Sequence, residues 1–315
     1  MVRKRIAPLT VVFLILQWLL IPDTLVHCGP QGNLRFEFSN GYQQGGLRWN
    51  IAGDLSGGNP NILSELTWSE LKVYKIEGKA EMLFETFMLR ALFGYGWVLA
   101  GDNQDSDYLL DNRTSEFSRS TSDARGGYLL QGALGIGPRY EFGAVPITVV
   151  PLFGFAYHRQ ALVMTDGVQT ISTPPSTQPL GPIAGLNSSY ATSWISLSLG
   201  VDMDYQISRW VSLAATLSVH PSAYYATADW NLRSDFTHPV SFVHRSLGLG
   251  FQGELSLGLE ISRYWLVEPR VALEYWVGRG GVDETFWVAG GSSRTQLNEV
   301  IWKSVGFSLV AVLRF

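Results

Sequence analysis

Ser246-Leu-Gly-Leu-Gly-Phe-Gln-Gly-Glu-Leu-Ser-Leu-Gly-Leu-Glu-Ile-Ser262 is the stretch from which the rest of the chain can be read. Leu247, Leu249, Phe251, Leu255, Leu257, Leu259 and Ile261 share one parity, and Gly253 alone interrupts that apolar set. Ser246, Gly248, Gly250, Gln252, Glu254, Ser256, Gly258, Glu260 and Ser262 take the other parity. A helical period of about 3.6 would smear both sets around an axis, whereas a strand sends them to opposite faces. The run is also longer than the usual strand of about 5–6 residues. One oily face and one face of glutamates and small residues predict a strand with lipid outside and a wet lumen inside. A half-buried strand of a soluble sandwich would share the alternation but not the length.

Working outward, the composition fits. The chain has 315 residues, with 23 Lys and Arg against 27 Asp and Glu and a formal charge of -4, which offers no polybasic surface to nucleic acid. Charged residues make up only 16%, low for a soluble domain. The 11 Trp and 33 Gly are expected as aromatic girdles and small lumen residues. Cys28 is the single cysteine, which excludes a disulfide framework and a cysteine metal cluster. No Walker loop, Rossmann glycine pattern, zinc spacing or calcium loop is present, so neither metal nor cofactor is expected.

Residues 1–28 read as a signal peptide. Arg3, Lys4 and Arg5 precede the apolar run Val11 to Ile21, which Pro22 ends. Cleavage near Cys28–Gly29 fits, and Cys28 is also a candidate for lipidation, although His27 is large for that processing. No later segment offers about 18 uninterrupted apolar residues, so residues 29–315 are expected to cross a membrane as strands.

Alternating segments recur at 34–51, 64–82, 87–100, 126–140, 147–164, 193–207, 211–228, 246–262, 265–287 and 300–315. Ser208-Arg209 and Arg263-Tyr264 are tight connections, whereas 101–123, 166–189, 229–244 and 289–299 read as long polar loops. Short turns at one end and long loops at the other are the mark of an outer-membrane barrel. The fold expected is all-β: a ten-stranded antiparallel transmembrane β-barrel, projecting beyond the outer leaflet. Phe307, Leu309, Ala311, Leu313 and the terminal Phe315 share a face, and this ending resembles the assembly signal of bacterial outer-membrane barrels.

Two outer stretches are candidates for chemistry. Asp105 and Asp107 lie two apart and share a face in an extended chain, as do Asp229 and Asn231. Close carboxylates raise one another's proton affinity, which suits activating a water. Solvated acidic rims would look the same on spacing alone.

At these residues the chain resembles the omptins, outer-membrane endopeptidases and adhesins built on ten-stranded barrels. Leu63-Ser-Glu-Leu-Thr-Trp68 with Ile76-Glu-Gly78 is similar to the family's second strand, and Gly101 to Asp111 is similar to its Asp-x-Asp-aromatic segment. Asp229, with Asp235-Phe-Thr237, is similar to its Asp-x-His segment. The resemblance implies a metal-free site in which Asp105 and Asp107 face Asp229 and its partner across a groove. The family's histidine falls on Asn231, and its acidic substrate contact falls on Thr227. Neutral imidazole accepts a proton and an amide does not.

The resemblance also implies lipopolysaccharide as an activating lipid. There Tyr157 fits, but His158-Arg159-Gln160-Ala161 does not carry the family's charges in order. His238, His244 and His220 are the histidines available as substitutes for the missing one, and His220-Pro-Ser222 has the spacing used by small outer-membrane lipid A deacylases. The expected partners are outer-membrane lipid and a peptide or a host surface protein. The reading favoured by Asn231 and Thr227 is an outer-membrane surface adhesion or binding barrel with weak or no proteolysis. The alternative, favoured by the carboxylates, is an aspartic-type endopeptidase using Asp105, Asp107 and Asp229.

Overall fold

The computed structural model describes residues 33–142 and 145–315, so the signal segment and Cys28 lie outside the described residues. The chain forms β1 (Asn33–Ile51), β2 (Ser64–Leu83), β3 (Phe87–Leu110), β4 (Thr114–Asp123), β5 (Tyr128–Pro138) and β6 (Tyr140–Phe142). It continues through β7 (Ile147–Ser172), β8 (Gly181–Ser208), β9 (Val211–Asp229), β10 (Phe242–Glu260), β11 (Trp265–Phe286) and β12 (Ser292–Arg314). Neighbours pair antiparallel, and β1 pairs with both β2 and β12, which closes the sheet. β3 pairs with β4 through 102–110 and with β5 through 87–97, so β4 and β5 are two halves of one stave. The ring therefore has ten staves, as the alternation predicts.

The stretch 246–260 pairs with β9 without a register break, and Leu247, Phe251, Leu255, Leu257 and Leu259 all face out. Phe36, Phe93, Leu134, Phe155, Ile195 and Phe307 continue the same apolar band around the wall. β7 and β8, of 26 and 28 residues, far exceed the about 9–11 that cross a bilayer. Two segments expected as loops turn out to be strand: 102–123 is the β3–β4 hairpin, and much of 166–189 extends β7 and β8. Above the bilayer the outer face meets water, so the apolar alternation stops while the backbone pairing goes on.

The wet lumen expected from β10 is corrected by the structure. The lower lumen holds a layer of paired charges. Arg35 lies 2.7 Å from Glu268, Lys79 2.8 Å from Glu37 and Arg270 2.6 Å from Glu37, and Arg90 bridges Glu81 and Asp202. The upper lumen is a packed core of Trp49, Trp68, Trp194, Trp276, Trp302, Tyr190, Tyr224 and Phe242. These five tryptophans are core residues and not the girdle that the composition suggests.

The inward glycines explain the difference. A Cβ on Gly250 would stand 2.5 Å from Trp276 Cε3, and one on Gly248 2.7 Å from Trp194 Cζ3. The small residues of β10 are the slots into which neighbouring indoles fit. Gly250→Ala should therefore cost about 1–3 kcal/mol through overpacking. Gly253→Ala, on the lipid face with Leu217 Cδ2 at 3.4 Å, should be neutral. Thermal loss of the compact, heat-modifiable gel form, followed for both variants, checks the contrast.

Candidate functional site at the outer end of the barrel

In lower β3 the odd residues Phe93, Trp97 and Leu99 are exposed on the lipid side. If that parity continued, Asp105 and Asp107 would also face outward. It does not continue, because both strands are irregular between the pairs Ser69–Asp102 and Val73–Val98. Within that irregularity Gly101 adopts φ 154°, a conformation that favours glycine. A β-bulge of this kind re-aims the side chains beyond it. Asn103 is now buried against Thr67 and Ser122, while Asp102 and Gln104 are exposed. Asp105 and Asp107 follow Asn103 inward, and Asp105 Oδ1 is buried with no hydrogen-bond partner.

Both carboxyls lie well above the bilayer level. Burial, with the Asp107 charge beside it, raises Asp105 well above the usual carboxylate range. Burial also raises Asp107, against the opposing effect of the Ser64 and Ser118 hydroxyls. The Arg233 guanidinium, on the connection 230–241, acts on both in the opposite sense.

Asp229 and Thr227 are not brought to this pair. β9 keeps its parity to its end: Tyr224, Ala226 and Ala228 are buried in the core and Trp230 packs against it. Thr227 and Asp229 therefore lie on the opposite face, paired with Ala191 and Ser189 of β8. Asn231 joins two elements: its Oδ1 accepts from the Asn187 amide at 2.9 Å and the Ser188 hydroxyl at 3.0 Å, and its Nδ2 donates to the Gly185 carbonyl at 2.8 Å. The expected convergence of Asp105, Asp107, Asp229 and Asn231 across the lumen is thus not what the strand geometry gives.

His238 approaches Asp229 with Nδ1 2.6 Å from Oδ1, and its Nε2 lies 3.2 Å from the Arg233 carbonyl. Both neighbours are acceptors, so the ring is best satisfied as the doubly protonated cation. The Asp229 hydrogen bond raises its pKa accordingly. His220 bonds the Ser218 hydroxyl at 2.8 Å and stacks on Trp276, while Ser222 Oγ has no partner, so the two do not form a nucleophile–base pair. Tyr157 is on the outer wall, its hydroxyl 3.1 Å from Ser193 Oγ, with Arg159 beside it.

One buried constellation was not anticipated. His244 Nδ1 lies 2.7 Å from the Tyr190 hydroxyl, which lies 2.6 Å from that of Tyr224, and Asp283 Oδ1 is 3.2 Å from His244 Nε2. The signal was available, since His244 continues the inward parity of Ser246, Gly248 and Gly250.

This wall, lumen and rim define an outer-membrane β-barrel of omptin-like fold. The chain matches the family model described as Pom: Protochlamydia outer membrane protein over residues 37–314, and it belongs to that family. Among solved structures it is similar to the outer membrane protease OmpT from Escherichia coli. The identity is 14%, the match covers 90% of this chain and 96% of that one, and the TM-score is 0.72. It also matches the translocator domain of the autotransporter NalP from Neisseria meningitidis at 13% identity, with 98% of each chain covered and a TM-score of 0.37. No curated protein sequence matches.

The raised carboxyls predict a pH dependence. Between the ordinary Asp value of about 3.9 and the raised one, the folded chain holds a proton that the unfolded chain has released. Stability is therefore fully present below that window and is lost as pH rises through it. Asp105→Asn should match the wild type at the acid end and exceed it in thermal stability above the window. A denaturation series across pH in one detergent reads the difference.

Proposed function

We propose that this chain is a surface-exposed binding or adhesion barrel that keeps the omptin-like frame without its proteolysis. The observation that supports the reading is the inner face of β9 and its continuation, where Ala226, Ala228 and Trp230 occupy the inward positions that a base would need. Asn231 is spent on holding 185–188, and His238 has acceptors on both ring nitrogens. Loss of a positioned general base forfeits about 10²–10⁴ in rate. Export by a cleaved segment 1–28, and contact of lipopolysaccharide with Tyr157 and Arg159 on the outer wall, belong to the same proposal.

A second reading is favoured by one observation. Asp105 and Asp107 form a close carboxyl pair with raised proton affinity and an unpartnered buried oxygen, the arrangement in which two aspartates share a proton and activate water. On that reading the chain is an aspartic-type endopeptidase with no imidazole.

The two readings separate in one assay. The refolded protein, in lipopolysaccharide micelles, is incubated with a peptide library that includes dibasic sites. No cleavage is expected from the wild type. None is expected from Asn231→His either, because the new ring would replace a clasp and not enter the lumen. Wild-type cleavage abolished by Asp105→Asn would establish the second reading and overturn the first.

A further inference from the structure

The five outer connections are 52–63, 111–113, 173–180, 230–241 and 287–291, and each is fastened to a neighbouring connection or to the outer end of a neighbouring strand. Asn61 N–H donates to Asp111 Oδ1 at 2.7 Å, and Asn112 N–H donates to Asn61 Oδ1 at 2.8 Å. Thr173 N–H donates to the Phe117 carbonyl of β4 at 2.9 Å. Asn231 fastens the fourth connection to the outer end of β8. Val288 N–H donates to the Asp235 carbonyl at 3.0 Å, beside the edge-on contact of Phe236 with Trp287 at 5.2 Å. Gln296 N–H donates to the Asp54 carbonyl at 3.0 Å and returns the circuit to the first connection. Such a rim is preorganised, which lowers the ordering cost of any contact it makes.

The loop lengths also level the rim. The long connections 52–63 and 230–241 crown strands of 19 and 20 residues, while the short 287–291 caps strands of 22 and 23 and the short 111–113 joins β3, of 24 residues, to β4, of 10. The connection 173–180 stands on the longest pair, β7 and β8.

The charges of these connections are used internally. Asp54 accepts from Ser56, Gly58 and Asn59, Asp111 from Asn61, and Arg233 pairs with Asp235 at 2.8 Å. Arg113 pairs with Glu65 of β2. Beside these exposed but paired charges, the large hydrophobic residues that the rim leaves outward are aliphatic. Leu55 is 57% exposed, Leu110 58%, Leu180 65%, Leu232 46% and Val288 63%, one at or beside each connection. Of the large aromatics of the rim, Trp230 packs against the core, Phe236 is buried and Trp287 is half-buried against Phe236.

Resting on the reading of this chain as a binding barrel, we infer that the rim docks on an apposed lipid surface of zwitterionic headgroups, with Leu55, Leu110, Leu180, Leu232 and Val288 entering its interface together. A single exposed leucine is ordinary, and these five are taken together because one stands at or beside every outer connection. A protein partner is met by a contiguous patch with central aromatic or arginine anchors and a polar surround. Here the anchors are separate, aliphatic and spread around the circumference. A fluid interface accepts such separated points at once, and near-neutral loops need no anionic lipid.

The test uses the full barrel in small nanodiscs, mixed with phosphatidylcholine vesicles and separated by flotation. The wild type should float with the vesicles. The variant Leu55→Ser/Leu180→Ser/Leu232→Ser/Val288→Ser should bind at least about tenfold more weakly, given the apolar area withdrawn. Retained heat-modifiable migration would show that the variant is folded. Adding phosphatidylglycerol or salt should leave wild-type binding unchanged, since no charge term is involved. Equal flotation of wild type and variant, binding that requires anionic lipid, or no vesicle binding would each overturn the inference. Absence of vesicle binding, with no peptide cleaved, would leave the non-proteolytic binding reading standing and point to a protein partner.

Discussion

A chain that crosses a bilayer as strands must satisfy every backbone N–H and C=O within the sheet, and that requirement closes the ring. The pairing of β1 with β12 meets it, and everything else follows from the closed circuit. A ten-stave ring encloses a lumen that side chains can fill, so the packing problem moves inside. β10 solves it by alternating small inward residues with apolar outward ones. Trp276 then lies over Gly250, between Trp194 at 5.6 Å and His220 at 5.1 Å. The glycines of the lumen wall and the tryptophans of the core are two sides of one fit.

The lumen changes character with height. Below the aromatic core lie Arg35, Glu37, Lys79, Glu81, Arg90, Glu268 and Arg270, each buried or nearly so and each with opposite charges as neighbours. Buried ion pairs contribute little net stability, because desolvation offsets the attraction, but breaking one partner away is costly. Such a layer therefore specifies register more than it adds stability: a one-residue slip of any stave would send its charges into lipid. The aromatic layer above supplies the apolar burial that the charged layer does not. Glu274 joins the two layers, accepting from Trp302 Nε1 and Ser304 Oγ at 3.0 Å each.

The wall was legible in the sequence because lipid imposes a simple code, apolar outward at every second residue. Leu247 to Ile261 shows it, and so does Phe307 to Phe315. The strand extensions 102–110 and 181–189 were not legible, because water on the outer face removes the code while pairing persists. The lumen core was hidden for another reason. Gly248 and Gly250 read as small lumen residues facing water, and only their neighbours' positions reveal that indoles fill the space. The rim clasps of Asn61 and Asn231 join residues far apart in sequence, which local spacing does not report.

The candidate site turns on one further feature of a period-two element. Asp105 and Asp107 share a face, and so do Asp229 and Asn231 in an extended chain, but an offset of two does not say which face. In β9 the parity that puts Leu213, Leu217 and Val219 outward runs unbroken to Thr227 and Asp229, and the register with β10 shows no slip. In β3 the same logic would have put Asp105 and Asp107 outward with Phe93 and Trp97, and the irregularity at Gly101 reverses it. One irregularity present in β3 and absent from β9 therefore separates two carboxylate segments that the family resemblance would set face to face. A fold shared with a protease at a TM-score of 0.72 carries the frame across. Which way each carboxylate segment faces depends on local irregularities of its own strand, and fold likeness does not transmit that.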